Sequence, residues 1–267
     1  MEVTATGAAL GARVTGVDLA KLPPTGAGGT GIREAFLEYS VLLFPDQTLS
    51  KQEQVRFSTL FGSPVVHPTN TRDRDAEVPE VTLISNIVQD GEPIGALGNR
   101  ELEFHADLVF LHVPGSVSVL HCLAAPDSGG DTYWSSNYAA RDALSSEMVA
   151  RLQDRQVVYI HRNPSYNPDP PARHPLLCRP PESKRDFLFV SPSSADSIPG
   201  MGNEESRALL DELLDHATQE QFVWCHRWCP VGVVVWDNRS TLHRRDGFVA
   251  EHRRIMHRTQ MLGPLTA

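Results

Sequence analysis

The chain has 267 residues, 40% apolar and 21% charged, which supplies a sizeable core and argues against a disordered chain. A formal charge of −9 speaks against a broad surface for nucleic acid or anionic membrane, so neither partner is expected. No run approaches the ~18 apolar residues of a membrane helix. The stretch from Met1 to Leu10 lacks the basic-then-apolar order of a signal peptide, so a cytoplasmic location is expected.

In chain order, loose alternation at Val3, Leu10, Val14 and Val17 predicts two short strands. Gly26-Ala-Gly-Gly-Thr-Gly lacks the Lys-Ser/Thr of a phosphate loop and reads as a surface turn within the Gly/Pro loop from Pro23 to Gly31. A helix around Ile32 to Tyr39 and a strand from Val41 to Phe44 follow. Ser50 and Glu53 form a capping box that opens a helix ending at Gly62. Strands are predicted from Val81 to Val88, Phe104 to Leu111 and Ser116 to Leu123, with a Pro114-Gly115 turn between the last two. Two short helices fill Asn137 to Gln153. The Pro-rich stretch from Asn163 to Pro199 reads as a long loop or lid with short strands. The helix from Glu204 to Thr218 carries an apolar stripe of Leu209, Leu210, Leu213, Leu214 and Ala217. Val231 to Trp236 and Arg254 to Met261 are the last two strands. The pattern predicts one domain, residues 1–267, mainly β with peripheral helices, as a sandwich or jelly roll.

The four cysteines, Cys122, Cys178, Cys225 and Cys229, are too scattered for a disulfide framework. Cys225, His226 and Cys229 invite a zinc reading, but a second ligand pair is missing. The run from Phe222 to Cys229 reads better as one strand, with Phe222, Trp224, His226 and Trp228 on one face.

His105-Ala106-Asp107 falls in a predicted strand, where residues i and i+2 share a face. An imidazole and a carboxylate so placed are two-thirds of a facial triad, which leaves metal positions open and suits Fe(II). His243, just after a buried strand, supplies the third ligand. Arg254 lies eleven residues later, and Arg254, Met256 and Arg258 share a strand face. Two guanidiniums turned inward are costly unless they meet anions, and Arg suits carboxylates. The other reading makes them surface charges paired with acids such as Glu251.

Taken together, His-x-Asp, roughly 135 residues, His, then Arg is the spacing of Fe(II)/2-oxoglutarate dioxygenases. The chain resembles the taurine dioxygenase and 2,4-dichlorophenoxyacetate dioxygenase family over nearly its whole length. The resemblance includes Gly7-Ala-Ala-Leu-Gly-Ala, Thr15-Gly-Val-Asp-Leu, Val41-Leu-Leu-Phe-Pro-Asp-Gln, Gly129-Gly-Asp-Thr-Tyr-Trp, Glu205-Ser-Arg-Ala-Leu-Leu, Trp236-Asp-Asn-Arg and Arg253-Arg-Ile-Met-His-Arg. It implies a double-stranded β-helix (jelly-roll) core. It also implies Fe(II) on the catalytic His105, Asp107 and His243, with 2-oxoglutarate and dioxygen as co-substrates. The far carboxylate of 2-oxoglutarate would pair with Arg254 and accept a hydrogen bond from Thr132. Arg258 would face the anion of a small organic substrate, and His67 matches a substrate-side histidine. Asn70 and Glu101 stand where the taurine enzyme has Tyr and Asn. A glutamate there would repel a small sulfonate, so taurine is not expected. Phe222-Val-Trp-Cys-His-Arg-Trp and Thr241-Leu-His-Arg look closer to the phenoxyacetate branch. The pocket would be built from loops near 67–102 and 163–199, and a homo-oligomer, dimer or tetramer, is expected. The rivals are a non-catalytic 2-oxoglutarate or anion sensor on the same fold and a zinc or manganese hydrolase of the cupin type.

Overall fold

The computed structural model describes residues 1–23, 25–69 and 73–265. Two sheets build a jelly-roll core. The larger has eight strands, in the order Glu2–Ala5, Ala12–Thr15, Val41–Phe44, Val233–Asp237, Gly115–Ala124, Ile255–Leu262, Thr82–Ser85 and Ala96–Leu97. The smaller has four, in the order Val223–His226, Thr132–Ser136, Thr241–Arg245 and Leu102–His105. The central strands of the larger sheet are apolar and β-branched, as a strand buried on both faces requires: Val233, Val234 and Val235 are fully buried between Val41–Phe44 and Gly115–Ala124.

The helices cover this core. One runs over Ala27–Tyr39, beginning inside the glycine run expected to be a surface turn. Burial outweighs glycine's low helix propensity here. Gly29, Ile32, Ala35 and Phe36 form the buried face, and a Cβ at Gly31 would lie 2.7 Å from the Met1 side chain. The Lys51–Ser58 helix has both halves of the Ser50/Glu53 capping box and ends before Gly62. Helices over Asn137–Asp142 and Ser146–Leu152 fill the stretch expected to hold two. The Asn203–Ala217 helix buries Leu209, Leu210, Leu213 and Ala217.

Three strand expectations are corrected. The strand from Leu102 stops at His105, because the chain turns at Asp107. Val81 to Val88 divides into Thr82–Ser85 and Ile87–Gln89, the latter paired with Glu92–Ile94 in a separate hairpin. The run after Phe222 is a strand only over Val223–His226. Its aromatic face persists through ring contacts: Trp224 stacks on Trp134 at 5.6 Å and on His226 at 5.7 Å, and His226 meets Trp228 at 4.8 Å. The four cysteines are free, Cys225 and Cys229 exposed. The 163–199 segment carries short strands as expected, but Leu176, Phe187, Phe189 and Ile198 are buried in the core. No helix among the described residues is long and apolar enough to cross a membrane.

Candidate active site

Two imidazoles are brought together by the small sheet. His105 ends one strand and is in register with His243 on the next, so the rings lie 4.2 Å apart. Asp107 reaches them from the turn after the strand, not from the strand pleat. Asn238 pins that turn: its Oδ1 accepts from the Asp107 N–H at 2.9 Å, and its Nδ2 donates to the carbonyls of Asp107 at 2.8 Å and Gly115 at 3.1 Å. The chain closes because residue 115 has no side chain. A Cβ there would lie 2.8 Å from the Asp107 carbonyl oxygen.

One donor atom each from His105, Asp107 and His243 lies within 4.8 Å of the other two. Each imidazole Nε2 is 3.8 Å from one Asp107 oxygen. The His105 Nδ1 lies 2.7 Å from the Glu103 carbonyl, which places the ring proton on Nδ1 and leaves the Nε2 lone pair for a metal. Burial, with His105 next, lowers the His243 pKa to about 3, so the ring is neutral. Burial alone would raise the Asp107 carboxyl, but Arg258 and then the two imidazoles hold it well below the usual carboxylate range. Gln260 Nε2 donates to Asp107 Oδ2 at 2.9 Å. Two imidazoles and one carboxylate with open positions fit Fe(II).

The walls form a cavity of about 450 Å³ that also contains Thr132, Arg245, Arg254, Arg258 and His67. Thr132 Oγ1 accepts from Trp228 Nε1 at 2.8 Å, which leaves its own proton free to donate. Arg254, 3% exposed, sits with its guanidinium 5.8 Å from the Trp228 ring centroid. Among the described residues no ion pair reaches Arg254, and its Nε has no hydrogen-bond partner. Burial, with Arg245 next, lowers its pKa to about 9. Gly130, at φ +70°, permits the approach: a Cβ there would lie 3.2 Å from Phe248 and 3.6 Å from Arg254 Cδ.

Arg258 points inward from Ile255–Leu262, and its Nη1 lies 3.7 Å from Asp107 Oδ2. His67 is buried beside it. Burial, with Arg258 next, lowers its pKa to about 4. Glu101 is a correction. It does not line the cavity; its side chain is 67% exposed and turns toward Arg244, at 4.0 Å. Asn70 lies outside the described residues.

Sequence reasoning missed Asn238, Gln260 and Arg245 as site residues. Arg245 had a signal: it lies two residues after His243 on one strand, so the two side chains share a face. The other two reach Asp107 from positions distant in sequence, and no local spacing marks them.

The taurine catabolism dioxygenase TauD, TfdA family matches residues 2–260. An alpha-ketoglutarate-dependent 2,4-dichlorophenoxyacetate dioxygenase of Cupriavidus pinatubonensis is 33% identical, over 88% of this chain and 90% of its own. A taurine dioxygenase from Burkholderia xenovorans superposes with a TM-score of 0.86 at 31% identity, over 98% of this chain and 89% of its own. The structure of AAD-2 in complex with Mn(II) and N-oxalylglycine superposes at 0.84 with 28% identity, over 100% and 98%.

Proposed function

The chain belongs to the TauD, TfdA family of 2-oxoglutarate-dependent dioxygenases, and we propose that it hydroxylates a small organic acid whose anion meets Arg258. When bound, Fe(II) with 2-oxoglutarate and dioxygen supplies the oxidising chemistry, and succinate and carbon dioxide leave as co-products. The residues of this chain bind and orient. His105, Asp107 and His243 hold the metal. Arg254 pairs with the far carboxylate of 2-oxoglutarate, and Thr132 donates to it. Family membership favours this reading over a sensor or a hydrolase.

One observation carries the substrate class. Arg245, Arg254 and Arg258 line the cavity, with the exposed Arg162 at its edge, and among the described residues Asp107 is the one carboxylate that does. That excess of buried positive charge is costly without anions, and a single co-substrate leaves Arg258 to a second one. Ile84, Leu102, Val109, Phe110 and Leu120 make the remaining wall largely apolar. An aryl or alkyl carboxylate suits this lining, as the 2,4-dichlorophenoxyacetate relative's name suggests; a sulfonate is the second choice. Taurine does not suit it. Among the described residues of the cavity wall its ammonium would find no carboxylate except the metal ligand. If the hydroxylated carbon bears an ether oxygen, the hemiacetal formed collapses with cleavage of that C–O bond.

The test is succinate release across phenoxyalkanoates, other organic acids and taurine. Arg258→Gln should raise the KM of the best acid by at least about tenfold, since a charge-assisted contact is worth ~1.5–3 kcal/mol, and move the 2-oxoglutarate KM far less. Efficient turnover of taurine, or equal shifts in both KM values, would overturn the assignment.

Two further features belong to this proposal. Four free thiols, two of them exposed, suit the reducing cytoplasm. Exposed Val88 and Ile94 support a homo-oligomer, dimer or tetramer, which light scattering would test.

A further inference from the structure

Arg245 is a buried cation for which the arrangement above has no use. It is 4% exposed and lines the cavity. It shares a strand face with His243, and its Cα is the register partner of Thr132 on the neighbouring strand. Its guanidinium stands 5.5 Å from the Phe248 ring centroid. Phe248 in turn touches the Gly130 position against which Arg254 packs. Thr132, Arg245 and Arg254 therefore border one corner of the cavity.

The hydrogen bonds of Arg245 are incomplete. Nη2 donates to the carbonyls of Leu97, at 3.2 Å, and Arg100. Nε and Nη1 are buried with no partner, as is Nε of Arg254. No ion pair reaches Arg245 among the described residues, and Asp107, the carboxylate of this cavity, lies against Arg258. Two neighbouring guanidiniums, both desolvated and both short of acceptors, are a standing cost unless a ligand completes them. A carboxylate can accept about four hydrogen bonds, enough for both arginines and the Thr132 hydroxyl.

We propose that Arg245 is a second guanidinium for the far carboxylate of 2-oxoglutarate, closing with Arg254 and Thr132 a clamp that selects a dicarboxylic co-substrate. The inference rests on the placement of that carboxylate at Arg254. Its consequence is selectivity. A 2-oxo acid with an uncharged far end leaves two buried cations uncompensated instead of one.

The experiment measures binding, not turnover. Mn(II)-loaded protein is titrated anaerobically with 2-oxoglutarate and with 2-oxovalerate, which keeps the chelating end and lacks the far carboxylate. Arg245→Gln should weaken 2-oxoglutarate roughly tenfold or more, as for a charge-assisted hydrogen bond, and leave 2-oxovalerate within about twofold. Arg245→Lys, which keeps the charge and loses the planar fork, should fall between wild type and Arg245→Gln. It keeps the question open to measurement if the glutamine variant does not fold. Equal weakening of both acids would make Arg245 an anchor for the Leu97–Arg100 backbone and overturn the proposal. So would unchanged 2-oxoglutarate affinity in either variant. Arg254→Gln separates the two readings. If it leaves 2-oxoglutarate binding unchanged, the underlying placement is wrong; if it weakens binding and Arg245→Gln does not, only the second guanidinium is wrong.

Discussion

Asn238 shows how a residue that touches no reacting atom can set the geometry of a site. Its amide makes three hydrogen bonds, two to the backbone of Asp107 and one to Gly115. Its neighbours in Trp236-Asp-Asn-Arg are also occupied locally. Arg239 forms a buried ion pair with Asp237 at 3.0 Å, and the Trp236 ring centroid lies 5.1 Å from that of His243. The motif is thus a brace for the turn that presents Asp107. Asn238→Ala should strip partners from buried backbone groups, at about 1–3 kcal/mol. It should also weaken metal binding by roughly 10–100-fold, as loss of outer support does. Urea denaturation of the metal-free protein and a Mn(II) titration would check the two effects separately. Wild-type metal affinity in the variant would mean that something else places Asp107. At this scale the ligands are legible in the sequence, because a triad needs only its residue types at long but regular spacing. Their supports are not. Gln260 meets Asp107 across 153 positions, and Glu101, four residues before His105, turns outward, its side chain mostly exposed.

Elements with local chemical signals are the ones the sequence reveals. The Ser50/Glu53 box is complete in both directions, with Glu53 N–H donating to Ser50 Oγ and Ser50 N–H donating to Glu53 Oε2. Gln54 on the same helix donates to the carbonyls of Val119 and His257 on the large sheet. Ser50→Ala should cost about 1 kcal/mol, the usual worth of an N-cap, and leave the 2-oxoglutarate KM unchanged, since Ser50 is not in the cavity wall. Urea midpoints and steady-state kinetics on one preparation would decide it; a large KM change would mean that the helix end transmits to the site. Elements set by tertiary packing are legible only in part. The Ala27–Tyr39 helix starts in glycines because its face at Gly29 and Ile32 is covered, a fact absent from local propensity. The strand at Leu102 ends early because Asn238, from another strand end, captures the turn after it.

For the whole molecule, alternation and turn signals are enough to predict a β-rich jelly roll, but not which groups the two sheets desolvate together. Histidines register that burial. The His226 pKa is lowered to about 4 by burial, with Arg13 next, and that of His257 to about 4 by burial, with Lys51 next. Burial also lowers that of His121. Unfolded, each returns to its ordinary 6.5. Between about pH 6.5 and 4 the unfolded chain therefore binds protons that the folded chain refuses. Stability is fully present above that window and is lost as pH falls through it, by at most about 1.4 kcal/mol per pH unit for each such histidine. The metal-free protein should accordingly show a lower urea midpoint at pH 5 than at pH 7.5. His226→Gln, which lies outside the cavity wall, should flatten that slope by about one proton's worth. A midpoint that does not move between the two pH values would mean that water reaches these rings in the folded state and that the sheets do not close over them.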